Sequence, residues 1–176
     1  PKDFSRKDLD SVTRAYAQAI CPIIGPEKDI PAPDVNTGER EMAILLEEYE
    51  KMVGHKAPAV VTGKPVSLGG SRGRKEATGR GVFYIAEAAA EKIGLDIKNA
   101  SVAIQGVGNV GGEAAKIFSQ VGAKIVALAD SRTTIFNEKG IDVSEVLDHK
   151  EKTGSLTGFK DSQTLPAEAI FGIPVD

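Results

Sequence analysis

Three groups of residues along this chain have the types and spacing that chemistry needs. The first is Gly106-Val107-Gly108-Asn109-Val110-Gly111, with Asp130 about 20 residues beyond its third glycine. In such a pattern Gly106 allows a tight turn, Gly108 lets backbone approach a pyrophosphate, and Gly111 permits a helix to pack closely on a strand. N–H groups opening that helix then face the phosphates, and Asp130 can accept hydrogen bonds from adenosine ribose hydroxyls. The pattern sits after an apolar run and opens a helical one, a context that favours a dinucleotide site over a glycine turn that serves packing alone. Ser131 and Arg132 follow the acid, and an arginine beside the ribose tolerates a 2′-phosphate, so NAD and NADP both remain open.

The second group is Ile30-Pro31-Ala32-Pro33-Asp34-Val35-Asn36-Thr37-Gly38, a carboxylate in a segment stiffened by two prolines. Read alone, Asp34 either caps the turn or acts as a proton donor and acceptor, with burial and a nearby helix N-terminus pulling its pKa in opposite directions. The third group runs from Lys64 to Arg80 and holds Lys64, Arg72, Arg74, Lys75 and Arg80 against Glu76 alone, a local positive excess that an anionic ligand could use. It contains no G-x-x-x-x-G-K-[ST], so phosphoryl-transfer chemistry of the P-loop kind has no support. Cys21, His55 and His149 stand without partner motifs, and no metal is expected.

The composition agrees with a globular α/β chain. There are 22 Lys+Arg against 25 Asp+Glu, a net charge of −3, which excludes a generally basic nucleic-acid binder. Apolar residues make up 41%, enough for a core. No apolar run approaches the ~18 residues of a membrane helix, and the charged first ten residues do not resemble a secretory signal. A cytoplasmic protein with no membrane partner is the expectation.

The elements that position these groups follow from periodicity. Ser5 caps a helix whose apolar face is Leu9, Val12, Tyr16, Ala19 and Ile20, ending before Pro22. Asn36 and Glu39, in capping-box spacing, introduce a second helix through Met42, Leu45, Leu46, Tyr49, Met52 and Val53, stopped by Gly54. Residues 59–62 are β-prone, and residues 63–73 read as loop. A third helix presents Ala77, Val82, Ile85, Ala86, Ala89 and Ile93 and ends at Gly94. Val102-Ala103-Ile104 reads as a strand buried on both faces; a helix around Ala114–Val121 and a strand at Ile125–Ala129 complete one β-α-β unit. A turn at Asn137–Gly140 and a short charged helix over Val143–Lys152 follow. The polar remainder carries no clear signal.

Taken in order, PAPDVNTG, TGKPVSLGG, GRKEATGRGV, QGVGNVGG, and KGID with HKEKTGSLTGF resemble the motifs of the hexameric glutamate dehydrogenases, in the wider group of Glu/Leu/Phe/Val dehydrogenases, and together they span nearly the whole chain. The resemblance implies reversible oxidative deamination of L-glutamate to 2-oxoglutarate and ammonium with NAD or NADP, in a homo-oligomer that is a hexamer in the family. It implies that Asp34 is the catalytic aspartate, which exchanges protons with the substrate amine and the attacking water. Arg74 and Thr78 would lie by the nicotinamide end of the cofactor, while Gly106, Gly108, Asn109, Val110, Gly111, Asp130 and Ser131 would contact the dinucleotide.

By the same resemblance, residues 1–75 are the end of a substrate and oligomerisation domain, and residues 76–176 are the start of a Rossmann-type dinucleotide-binding domain with its first β-α-β unit. The family's substrate-activating lysine lies upstream of PAPD and has no counterpart here, and the family's chain continues past Asp176. The expectation is therefore a truncated chain with a two-strand sheet, inactive by itself. The rival expectations are a leucine or phenylalanine dehydrogenase, or a non-catalytic piece that only binds dinucleotide or only assembles.

Overall fold

The computed structural model describes residues 4–176, so residues 1–3 of the expected 1–75 segment lie outside the described residues. The chain forms two compact units, the first ending at Arg74 and the second running Lys75–Asp176.

The first unit is built on α1 (Arg6–Ile20) and α2 (Glu39–Val53), which pack against each other. Ser5 caps α1 as its sequence position implies: its hydroxyl accepts from Asp8 N–H while the Asp8 carboxylate accepts from Ser5 N–H, a reciprocal box that satisfies two otherwise orphaned donors. The cap of α2 differs from the expectation. Gly38 is the N-cap, and Glu41 rather than Glu39 reaches back to accept from Gly38 N–H at 2.8 Å; Asn36 instead adopts a left-handed turn conformation, φ 59°. Ala17, Met42, Leu45, Leu46, Tyr49, Val60 and Val61 make the core of this unit. The β-prone 59–62 stretch is not a strand: Pro58–Val60 forms one 3-10 turn that plants Val60 and Val61 in that core. Pairing with a neighbour strand would be needed to make it one, and among the described residues none lies alongside. Buried Glu48 is compensated by Arg14, by Gln18 at 3.2 Å and by Lys51 at 3.2 Å, as a buried carboxylate must be.

The second unit takes all but the first residue of α3 (Arg74–Ile93), followed by β1 (Ser101–Gln105), α4 (Asn109–Gln120), β2 (Lys124–Ala129), β3 (Thr133–Phe136), α5 (Val143–Thr153) and β4 (Gln163–Pro166). The sheet has four strands in the order β1-β2-β3-β4, parallel between β1 and β2 and antiparallel after that. This corrects the two-strand expectation. β3 escaped detection because it opens on Thr133 and Thr134, which look polar but lie buried with their hydroxyls paired, Thr134 to Ala167 O and Thr133 to the Thr157 hydroxyl, each at 2.8 Å. β4 and a 3-10 segment, Ala167–Gly172, account for the polar remainder. The strand buried on both faces is β2; β1 is one of the two edge strands and is only half-buried.

The buried face of α3 also departs from expectation. Phe83, Ala86 and Ala90 pack towards the core, with Phe83 edge-on to Phe118 of α4, whereas Val82, Ile85 and Ile93 are exposed. Gly79 decides this rotation: a Cβ there would sit 2.8 Å from Ala114 N and 2.9 Å from Val110 O, so only glycine lets the α3 backbone meet α4 this closely. The apolar stripe chosen from periodicity ignored a small residue as the contact point, and the helix turned its Gly79 side inward.

Candidate functional site

In the first unit, Asp34 is held by two local devices. Its own N–H donates to the Thr37 hydroxyl at 2.6 Å, and its carbonyl accepts from that hydroxyl at 3.0 Å and from Thr37 N–H at 3.1 Å, closing the turn through Asn36. The preceding Pro31-Ala32-Pro33 segment is tied to the 62–63 segment, where Thr62 N–H donates to Pro31 O at 2.9 Å. Gly63 makes that approach possible. It has φ +63°, and a Cβ there would stand 2.5 Å from the Pro33 ring.

The carboxylate itself is exposed and takes part in no side-chain hydrogen bond within the described residues, so backbone fastening leaves it available. Asp34 lines an open groove of about 720 Å³ with Tyr16, Ile24, Ile30, Val35 and Met42. A smaller cavity of about 250 Å³ gathers Thr62, Lys64, Ser71 and Arg74; Lys64 donates to Val61 O at 2.8 Å, and Arg74 is exposed at the start of α3. Thr78 is exposed one turn further along that helix.

In the second unit the glycine-rich turn has the geometry its sequence implies. Gly106 has φ +90°, and its N–H donates to Ala129 O at 2.8 Å, which locks the end of β1 to the end of β2. Gly111 lies so close beneath that a Cβ would fall 1.7 Å from Gly106 O, which brings the first turn of α4 directly against the strand. Around Gly108 the space is open, with nothing within 4 Å of an added Cβ, and its N–H has no protein partner among the described residues. Asn109 and Val110 are exposed at the start of α4, where the helix dipole is positive. An open face, a free N–H and a helix N-terminus fit the phosphates of a dinucleotide.

Asp130 stands at the end of β2, as expected, but its carboxylate is already engaged. One oxygen accepts from Arg132 N–H at 2.9 Å and Thr133 N–H at 3.0 Å, and the other from Leu156 N–H at 3.3 Å. Burial pushes this carboxyl up, yet those three N–H groups and the Lys150 charge outweigh it and hold it below the ordinary aspartate value. Asp130 therefore fastens the β2–β3 turn to the 155–157 loop and has only spare lone pairs for a ribose. Ser131 beside it is exposed. Sequence reasoning missed Lys150 of α5, whose ammonium donates to Val107 O inside the glycine-rich turn at 2.5 Å. No spacing rule joins residues 43 apart. Among the described residues there is no cluster of three potential metal ligands, and no helix long and apolar enough to cross a membrane.

A parallel β-α-β unit with this turn at the carboxyl end of β1 places the second unit in the Rossmann-type α/β class. Residues 69–176 match the family model for Glutamate/Leucine/Phenylalanine/Valine dehydrogenase, and residues 1–51 match that for the Glu/Leu/Phe/Val dehydrogenase dimerisation domain. The chain belongs to this family.

Similar proteins include a glutamate dehydrogenase of Thermotoga maritima, 46% identical over all of this chain and 42% of its own length, and an NADP-specific glutamate dehydrogenase of Halobacterium salinarum, 41% identical with the same coverage. Among solved structures, the hetero-hexameric glutamate dehydrogenase of Thermus thermophilus in a Leu-bound form superposes with a TM-score of 0.91 at 39% identity, over 99% of this chain and 41% of that one. The chain thus spans about 42% of the length of the relatives it matches.

Proposed function

We propose that this chain is the part of an NAD(P)-dependent glutamate dehydrogenase that carries its proton-transfer aspartate and its phosphate-binding turn. The observation that carries the reading is the Gly106–Gly111 turn, with Gly108 N–H unpaired among the described residues and nothing within 4 Å of where a Gly108 Cβ would stand, in a chain whose relatives are named glutamate dehydrogenases. A bound nicotinamide cofactor would supply the acceptor for the hydride that leaves the Cα of glutamate. The chain's own residues do the rest of what is assigned here. The turn and the opening of α4 hold the pyrophosphate, and Arg74 and Thr78 serve the nicotinamide end. Asp34 takes a proton from the substrate amine and releases it to solvent, then takes one from the water that attacks the resulting imine carbon and returns it to the nitrogen, so that ammonium leaves and 2-oxoglutarate forms. An exposed carboxylate on a fastened backbone suits that shuttling role.

Glutamate is the proposed substrate ahead of leucine or phenylalanine. The proposed setting is a cytoplasmic oligomer, a homo-hexamer, and the dimerisation-domain match over residues 1–51 supports subunit contact there. The test is reduced-nicotinamide absorbance with glutamate, leucine and phenylalanine in turn, on the enzyme containing this chain, beside calorimetry of NAD and NADP. Glutamate-dependent turnover with cofactor binding is expected. Preference for leucine or phenylalanine would overturn the substrate assignment, and absence of binding would overturn the dinucleotide assignment.

A further inference from the structure

Lys150 lies outside every role assigned so far. Its placement begins with α5, whose Val143 and Val146 are buried and whose Leu147 packs over the start of α4, where a Cβ on Gly112 would already touch Leu147 at 3.3 Å. Three residues on, and so on the same helical side as Leu147, Lys150 extends across the mouth of the turn to Val107 O. Val107 is itself buried, so its carbonyl has little water to turn to and the ammonium is its partner. The nearby Asp130 carboxylate offsets the half-buried positive charge of Lys150.

This contact has a geometric consequence for the adjoining peptide. In a trans peptide the carbonyl and the N–H point in opposite directions, so a hydrogen bond that fixes Val107 O towards α5 also fixes Gly108 N–H away from it. Gly108 N–H has no protein partner among the described residues, and Gly108 is exposed, with nothing within 4 Å of where a Cβ would stand. We infer that Lys150 is a positioning residue that sets the Val107–Gly108 peptide so that Gly108 N–H points at the pyrophosphate of the dinucleotide. The inference rests on the dinucleotide reading of the turn and deepens it. Without the ammonium the peptide is free to rotate about its flanking bonds, and a preorganised donor becomes one that must be ordered at binding.

The experiment is a chemical-shift titration of the enzyme containing this chain and its Lys150→Met and Lys150→Arg variants with ADP-ribose, which has a pyrophosphate, and with adenosine, which has none. A charge-assisted hydrogen bond of ordinary strength predicts that Lys150→Met weakens ADP-ribose binding roughly 10- to 100-fold. Adenosine binding should stay within about threefold, a change well under 1 kcal/mol, and Lys150→Arg should recover most of the loss. In the parent, the Gly108 amide resonance should move on addition of ADP-ribose and not of adenosine. Equal ADP-ribose affinity in parent and Lys150→Met overturns the inference, as does an equal loss for adenosine. If Lys150→Met does not fold, the parent's Gly108 resonance decides, and an unmoved amide overturns the inference. A parent that binds neither compound overturns the dinucleotide reading itself, which separates that failure from this one.

Discussion

Replacing Gly111 by alanine isolates what close packing in the turn contributes, because helix propensity and packing push in opposite directions there. Gly111 lies in the first turn of α4, and alanine is favoured over glycine in helices by about 1 kcal/mol, so propensity alone predicts a more stable protein. Geometry predicts the reverse. The new Cβ would stand 1.7 Å from Gly106 O, 2.9 Å from Gly106 C and 3.3 Å from Ile104 Cγ2, whereas non-bonded carbons rest at about 3.5–4.0 Å.

The obstacle is backbone, and it cannot swing aside: Gly106 is pinned by its N–H to Ala129 O and held at φ +90°. Relief requires α4 to slide off the strand by more than 1 Å, which would also disturb the Phe83–Phe118 contact beneath it. Overpacking of this kind costs ~1–3 kcal/mol, and the upper end applies where backbone must move. For a unit of this size that lowers the melting temperature by on the order of 10 °C. Gly108→Ala is the control, since a Cβ there meets nothing and φ is −102°, which alanine adopts freely. Circular dichroism melting of both variants is the assay. If Gly111→Ala melted within about 2 °C of the parent, the close approach of α4 to β1 would not be what requires a glycine at this position.

Gly108→Val should leave the melting temperature nearly unchanged while weakening NAD and NADP binding, because its side chain would occupy open space before the turn; calorimetry showing unchanged affinity for both would remove the phosphate role. In the enzyme that contains this chain, Asp34→Asn should lower kcat by about 10²–10⁴ with cofactor affinity little changed, and wild-type turnover would remove the proton-transfer assignment. Asp130 yields a pH dependence. Its folded-state pKa is depressed, so the stability it contributes is complete above the unfolded-state value near 4 and drains away as pH falls through the lower folded value. Denaturant titrations below pH 5 should therefore show a steeper loss in the parent than in Asp130→Asn; parallel curves would count against the three N–H contacts as its cause.

Much of this protein follows from local chemistry that one stretch of chain carries by itself. The Ser5 cap, the stop at Gly54, and the strand, glycine turn and helix from Ser101 to Gln120 each depend on residues a few positions apart, so their spacing alone implied them. The rigid setting of Asp34 was half legible. Pro31 and Pro33 announce stiffness, but the tie to Thr62 and Gly63 joins residues about 30 apart.

Tertiary structure alone decided which face of α3 is buried, since Gly79 meets α4 by having no side chain, and an apolar count gives such a residue no weight. It decided that Thr133 and Thr134 belong to a central strand, because a buried hydroxyl is acceptable only once a distant carbonyl or hydroxyl is there to pair with it. It also decided that Asp130 is largely engaged by backbone N–H groups, one of them from Leu156, and that Lys150 reaches Val107. Periodicity encodes which side of a helix is apolar, but a single long-range hydrogen bond leaves no period in the sequence, so its partners become visible only when the chain has folded.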